Sequence, residues 1–140
     1  MNTPQKIRHG TVEWFDMVGT IMVKGAQQAG LPAGLNVSLV ERYTDGAALP
    51  GGMVQGLRFE IVTGKPSFRV GAYSDEQADV IVEISTAAAK TLNRLQSADP
   101  RYRVALDAFV QSGDMRVTGD ITRLGDWLGA AHDPIVARTE

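Results

Sequence analysis

An α+β fold, with a five-stranded, mostly antiparallel sheet covered by helices on one face, is predicted by three observations. Apolar residues recur at helical spacing near the start of the chain and again in its second half. Between them lie short runs that alternate strictly apolar and polar, the pattern of an antiparallel sheet with one wet face and one buried face. The turn and cap residues fall where those periods change. The resulting order is helix, four strands, two helices, strand, helix. The 140 residues suit one domain, 1–140, and no repeat, linker or low-complexity stretch divides them.

The first helix is read over Thr11 to Ala29, where Phe15, Val18, Met22, Ala26 and Ala29 make one face, widened by Trp14 and Ile21. Thr11 can cap its start, and Gly30 with Pro32 ends it. The period then becomes two. Val37 and Leu39 face one way and Ser38 and Val40 the other, with Asp45-Gly46 as a turn. In "GLRFEIVTG", Leu57, Phe59 and Ile61 oppose Arg58 and Glu60; in "SFRVGAY", Phe68, Val70 and Ala72 oppose Ser67 and Arg69. "TGKP" joins these two as a hairpin. "ADVIVEIS" sets Val80, Val82 and Ile84 against Asp79, Ile81 and Glu83.

Ser85 or Thr86 caps the next helix, with Ala88, Leu92 and Leu95 as its stripe. Asp99-Pro100 opens another, because Asp caps and Pro at the first helical position loses no hydrogen bond. Its apolar face is Tyr102, Leu106, Phe109 and Val110, and Gly113 closes it. Met115 and Val117 face the core from a short strand. Asp120 then caps a last helix with Ile121, Leu124 and Leu128 buried, fading at "HDPIVARTE".

Composition excludes several functions. A net charge of −2 leaves no surplus of Lys and Arg for a nucleic-acid partner. No apolar run is long enough for a transmembrane segment, and "MNTPQKIRHG" does not read as a secretory signal. The absence of cysteine removes thiolate chemistry and suits a cytoplasmic protein. With only His9 and His132, a histidine metal site is not expected, and neither a metal nor a cofactor is called for. The fifteen glycines form no phosphate-binding loop, since neither "GLPAGL" nor "PGGMVQG" follows a strand and opens a helix.

"QSGDMRVTGDI" contains two Gly-Asp pairs that could be paired acids. An extended strand puts Asp114 and Asp120 about 15–20 Å apart, beyond the about 5–10 Å over which two carboxylates share one bond. They read as a turn residue and a helix cap. Asp16 has two readings: a general base with a raised pKa beside Trp14 and Phe15, partnered by His9 or Tyr102, or the wet face of its helix. The histidines, near the chain ends, fit exposed or helix-end positions. Arg101, Arg103, Arg116 and Arg123 could meet the phosphates of a coenzyme A ester or form salt bridges.

The stretches "GLRFEIVTGKPSFRVG", "ADVIVEISTAAAKTLNRL" and "RYRVALDAFVQSGDMRVTGDI" together resemble the sterol carrier protein type 2 family. The likeness runs from 37 to 128, with "GDMRVTGD" in place of the family's short Gly-bounded strand; residues 1–36 match only in being helical. The link "LQSAD" lacks a Gly-Lys turn, Asp114 follows Gly113 where a basic residue is common, and the ending "ARTE" lacks the peroxisomal tripeptide. The resemblance implies a hydrophobic tunnel between sheet and helices. It implies non-catalytic binding of a sterol or steroid, fatty acid or acyl-CoA. The ligand wall would then be drawn from Phe15, Val18, Met22, Leu92, Phe109, Met115, Val117, Ile121, Leu124, Trp127 and Leu128. An isomerase- or hydratase-type enzyme using the same cavity is the alternative. A homodimer, or delivery to a partner enzyme of lipid metabolism, is a third reading.

Overall fold

The computed structural model describes residues 5–140, so the first four residues of the 1–36 segment lie outside the described residues. Helix α1 spans Val12–Gln28, with the Thr11 hydroxyl accepting from the Trp14 amide. Strands β1 (Val37–Tyr43), β2 (Val54–Val62), β3 (Lys65–Ala72) and β4 (Val80–Ile84) follow. Helix α2 (Thr86–Leu92) is capped by Ser85, and α3 (Pro100–Ser112) by Asp99, as the sequence predicts. Strand β5 (Met115–Thr118) leads to a 3-10 turn, Ile121–Leu124, and two short helices, α4 (Trp127–Ala130) and α5 (His132–Ala137).

The sheet order is β3-β2-β1-β4-β5. Every adjacent pair is antiparallel except β1 and β4, which run parallel from Leu39↔Val80 to Tyr43↔Ile84. The β2–β3 hairpin turns on Thr63 and Gly64, both at positive φ, the turn whose twist matches that of its strands. After β3 the chain must cross under β2 and β1 to reach β4. The strand arginines hold that crossover against the open face. Arg42 donates to the Glu76 carbonyl at 2.9 Å, Arg58 to the Gln77 carbonyl at 3.0 Å, and Arg58 and Arg69 both pair with the Glu76 carboxylate. The outward arginines of β1, β2 and β3 are therefore anchors for the link that makes β1 and β4 parallel.

The apolar half faces the helices. Leu39, Tyr43, Leu57, Phe59, Ile61, Val80, Val82 and Ile84 are buried there with Phe15, Met22 and Ala26 of α1. Two expectations fail at the end of the chain. No single helix follows Asp120: that residue caps only the 3-10 turn, and Gly125, at φ 112° and ψ 167°, breaks the path before α4. Nor does the chain fade, since Ile135 and Val136 are buried in α5 and Thr139 is 6% exposed.

The tail is bonded to the start of the chain. Ile7 donates to the Arg138 carbonyl at 2.7 Å, Glu140 donates to the Ile7 carbonyl at 2.9 Å, and the Trp14 indole N–H donates to the Thr139 hydroxyl at 2.9 Å. Thr139→Val keeps the shape and removes the acceptor, leaving a buried indole N–H without a partner. We expect a loss of about 1–3 kcal/mol in urea unfolding; an unchanged midpoint would show that the tail is not part of the folding unit.

Candidate functional site

Between the helix-facing side of the sheet and the second half of the chain lies a cavity of about 640 Å³. Its floor is Leu39 and Glu41 of β1 with Val82 and Ile84 of β4. Trp14, Val18 and Met22 of α1 form one side, and Ala89 and Leu92 of α2 another. Tyr102 and Leu106 of α3 and Met115 of β5 close over it. Ile121, Leu128, His132 and Ile135 complete the wall from the C-terminal segment.

The hollow exists because α3 stands off the sheet. No residue of α3 is fully buried; Tyr102, Ala105, Leu106 and Phe109 are only half-buried, and Val104 and Val110 are 70% and 54% exposed. A helix whose apolar stripe meets no floor leaves space beneath it, whereas a packed core has few voids larger than a water molecule.

Two carboxylates line this space, Asp126 at its exposed rim and Glu41 on its floor. Glu41 follows Val37 and Leu39 in the inward alternation of β1 and pairs across the strands with Leu57 and Val82. No hydrogen bond reaches its side chain among the described residues, and burial alone pushes its carboxyl from 4.5 up to about 7. Two residues further on, Tyr43 shares a 2.9 Å hydrogen bond with His9 Nε2. Burial, and then the charge of Glu41, raises the Tyr43 hydroxyl well above its ordinary value. His9 is lowered to about 4, first by burial and then by the positive charges of Lys90 and Arg94, so it is neutral at pH 7. Its ring stands edge-on to Trp14 at 4.5 Å. His9 is thus half-buried and bonded to the core residue Tyr43, contrary to the expectation of an exposed chain end. His132 Nε2 donates to the Leu95 carbonyl at 2.8 Å, and its ring lies 4.5 Å from that of Tyr102.

The structure separates the residues proposed from sequence. Val18, Met22, Leu92, Met115, Ile121 and Leu128 line the cavity, as does Tyr102. Phe15 does not; it packs edge-on against Trp14 and Tyr43 at 5.0 and 5.3 Å. Leu124 is fully buried behind the wall, and the Trp127 ring lies on Phe59 at 5.3 Å with its N–H donated to the Leu124 carbonyl. Phe109 is half-buried a turn beyond Leu106, the last α3 residue to line the space. Val117 points to the helix side but is 39% exposed, because nothing covers the far end of edge strand β5.

Asp16 is exposed on the wet face of α1, which removes the acid-base site built on it. Glu41 escapes a reading that follows the β1 alternation only to Val40. Continued by two residues, the same period turns Glu41 and Tyr43 inward.

Among the described residues no cluster of three His, Asp or Glu side chains could hold a metal. Of the four arginines considered for the phosphates of a coenzyme A ester, Arg101, Arg103 and Arg123 pair with Asp99, Asp107 and Asp79. No helix among the described residues is long and apolar enough to cross a membrane. A second depression, about 790 Å³ and open to solvent, lies on the outer side of α2 and α3 over Ala87, Val104 and Ala108.

No protein-family model and no curated protein matches the sequence. Solved structures do match. A conserved hypothetical protein of Thermus thermophilus, a candidate sterol carrier protein, superposes with a TM-score of 0.51 at 15% identity, over 96% of this chain and 93% of that one. The ubiquinone synthesis protein UbiJ-SCP2 matches at 18% identity and TM-score 0.47, over 86% of this chain and 85% of that one. The inverting sec-alkylsulfatase Pisa1 from Pseudomonas sp. matches at 19% identity and TM-score 0.47, over 83% of this chain. This chain spans only 15% of the sulfatase's length. At such identities the likeness establishes architecture: a five-stranded mixed sheet with helices on one face, as in sterol carrier proteins.

Proposed function

We propose, from a sterol-carrier-type fold around an apolar cavity, that residues 1–140 form one unit that reversibly buries a hydrophobic small molecule. The observation that carries this reading is the space of about 640 Å³, open on one side, with its mostly aliphatic and aromatic wall. Its size falls within the range of small-molecule sites, and such sites are mostly apolar with a few placed polar groups. Apolar ligand surface leaving water contributes about 25 cal/mol per Å², which drives binding without any bond being made or broken. A sterol or steroid, a fatty acid and an acyl-CoA are the ligand classes under test, and cytoplasmic carriage to an enzyme of lipid metabolism is the role that fits them.

Native mass spectrometry of freshly purified protein should show a bound lipid. The delipidated protein should take up a fluorescent lipid at about micromolar Kd, near −8 kcal/mol. Met115→Arg, which places a charge in the wall, is expected to weaken that uptake at least tenfold while the protein stays folded. Failure of steroids, fatty acids and acyl-CoAs alike to bind or to displace the fluorescent lipid would end this reading.

A further inference from the structure

We propose that the ligand is a neutral apolar alcohol or ketone whose oxygen is seated on the Glu41 carboxyl. This rests on the binding reading above and adds the chemistry of the ligand's head. Glu41 stands on β1, the middle strand, between Leu57 and Val82, and opens onto the cavity floor. Its carboxyl has no hydrogen-bond partner in the protein among the described residues and is partly exposed at the cavity, the direction from which a partner can come.

The other polar groups around the space are largely engaged. Asn93 donates to the Ala89 carbonyl, Ser97 to Asp133, Thr122 to Asp120 and His132 to the Leu95 carbonyl, while Arg103 pairs with Asp107. Of those left over, Asp126 is exposed and Tyr102 and Glu41 are partly exposed; Glu41 is the one that stands on the cavity floor, where burial raises its carboxyl.

The head chemistry follows from what can stand next to that carboxyl. A fatty-acid carboxylate or a phosphate would place like charge against it. An ammonium would have to lose its water to form a buried ion pair, whose desolvation cost offsets the attraction. An alkyl tail would leave the carboxyl unpaired. An alcohol satisfies it in both protonation states, accepting from the acid or donating to the carboxylate. A ketone only accepts, so it requires the acid.

The titratable groups that line the cavity with Glu41 are Tyr102 and Arg103 of α3, Asp126 before α4 and His132 of α5; Tyr43, on its own strand, feels its charge and bonds His9. The lining residues from β4, β5, α1 and α2 carry no charge, and neither does Leu57 of β2. His9 stays neutral over the range tested below.

The test is calorimetric titration of delipidated protein with dodecanol, dodecyl methyl ketone, laurate, dodecylamine and dodecane, at about pH 6 and about pH 8. At the lower pH the alcohol and the ketone should bind about tenfold or more tighter than dodecane and laurate. Raising the pH should weaken the ketone by about tenfold and leave the alcohol unchanged. Glu41→Gln, which donates and accepts at any pH, should bind both with no pH dependence. Glu41→Leu should bring the alcohol level with dodecane, with circular dichroism showing the fold retained. Tightest binding of laurate or dodecylamine, or an alcohol affinity unchanged in Glu41→Leu, would overturn the assignment of the head while the binding reading stands. Binding of none of the five ligands, together with no uptake of the fluorescent lipid, would remove both.

Discussion

Glu41→Gln is expected to stabilise the empty protein by about 3 kcal/mol at about pH 8 and to change it little at about pH 4. The folded-state carboxyl is raised from 4.5 to about 7. The folded protein therefore holds this proton more tightly than the unfolded chain does. Below the unfolded value both states are protonated and Glu41 costs little. As pH rises from 4.5 through about 7 the unfolded chain ionises first, and the folded protein loses stability relative to it. Above that interval the penalty is complete, at about 1.4 kcal/mol for each pH unit by which burial raises the carboxyl. An amide of the same shape cannot ionise and escapes it. Urea unfolding of both proteins across this range checks the result: two parallel pH profiles would mean that the carboxyl is reached by water in the folded state. Added ketone should widen the difference at high pH, because it binds the amide but not the ionised carboxylate, whereas added alcohol, which pairs with both, should leave it nearly unchanged.

The second large effect lies at the contact between α1 and β3. Gly19 faces Phe68, and a β-carbon placed there would overlap the edge of the phenyl ring, well inside contact distance of Cγ, Cδ2 and Cε2. Glycine in a helix interior normally costs about 1 kcal/mol relative to alanine. At this position that cost buys the close approach of helix to sheet. Gly19→Val is expected to destabilise the protein by about 3 kcal/mol through overpacking. Gly19→Ala should destabilise as well, reversing the sign usual for a helical glycine. In a Phe68→Leu background, Gly19→Ala should become neutral or stabilising by up to about 1 kcal/mol. Simple additivity of Gly19→Ala and Phe68→Leu in urea unfolding would refute the contact as the cause.

Much of the fold was legible before the structure. Thr11, Ser85 and Asp99 cap helices where their spacing predicts, and β1 to β5 occupy the alternating runs. The candidate site was legible in part. Val18, Met22 and Leu92 line the cavity, but Phe15 and Leu124, equally apolar and on adjacent stripes, are ordinary core. Alternation tells which face a side chain joins and not what covers that face, so Val117 reads as buried and is exposed. Glu41 was harder still, because an acid on an inward position contradicts the rule that locates inward positions.

The sequence by itself determined the elements, their order and the wet and apolar side of each strand. These follow from two local repeats, 3.6 residues in a helix and two in a strand, which any short window contains. It also determined what is missing: cysteine chemistry, and the charge surplus a nucleic-acid partner needs. Only the tertiary structure decided that β1 and β4 run parallel, that Asp16 faces water, and that α3 stands off the sheet above Glu41. Those outcomes depend on how elements far apart in the chain stack together. A cavity is space that such stacking leaves unfilled, and no residue in the chain encodes it alone.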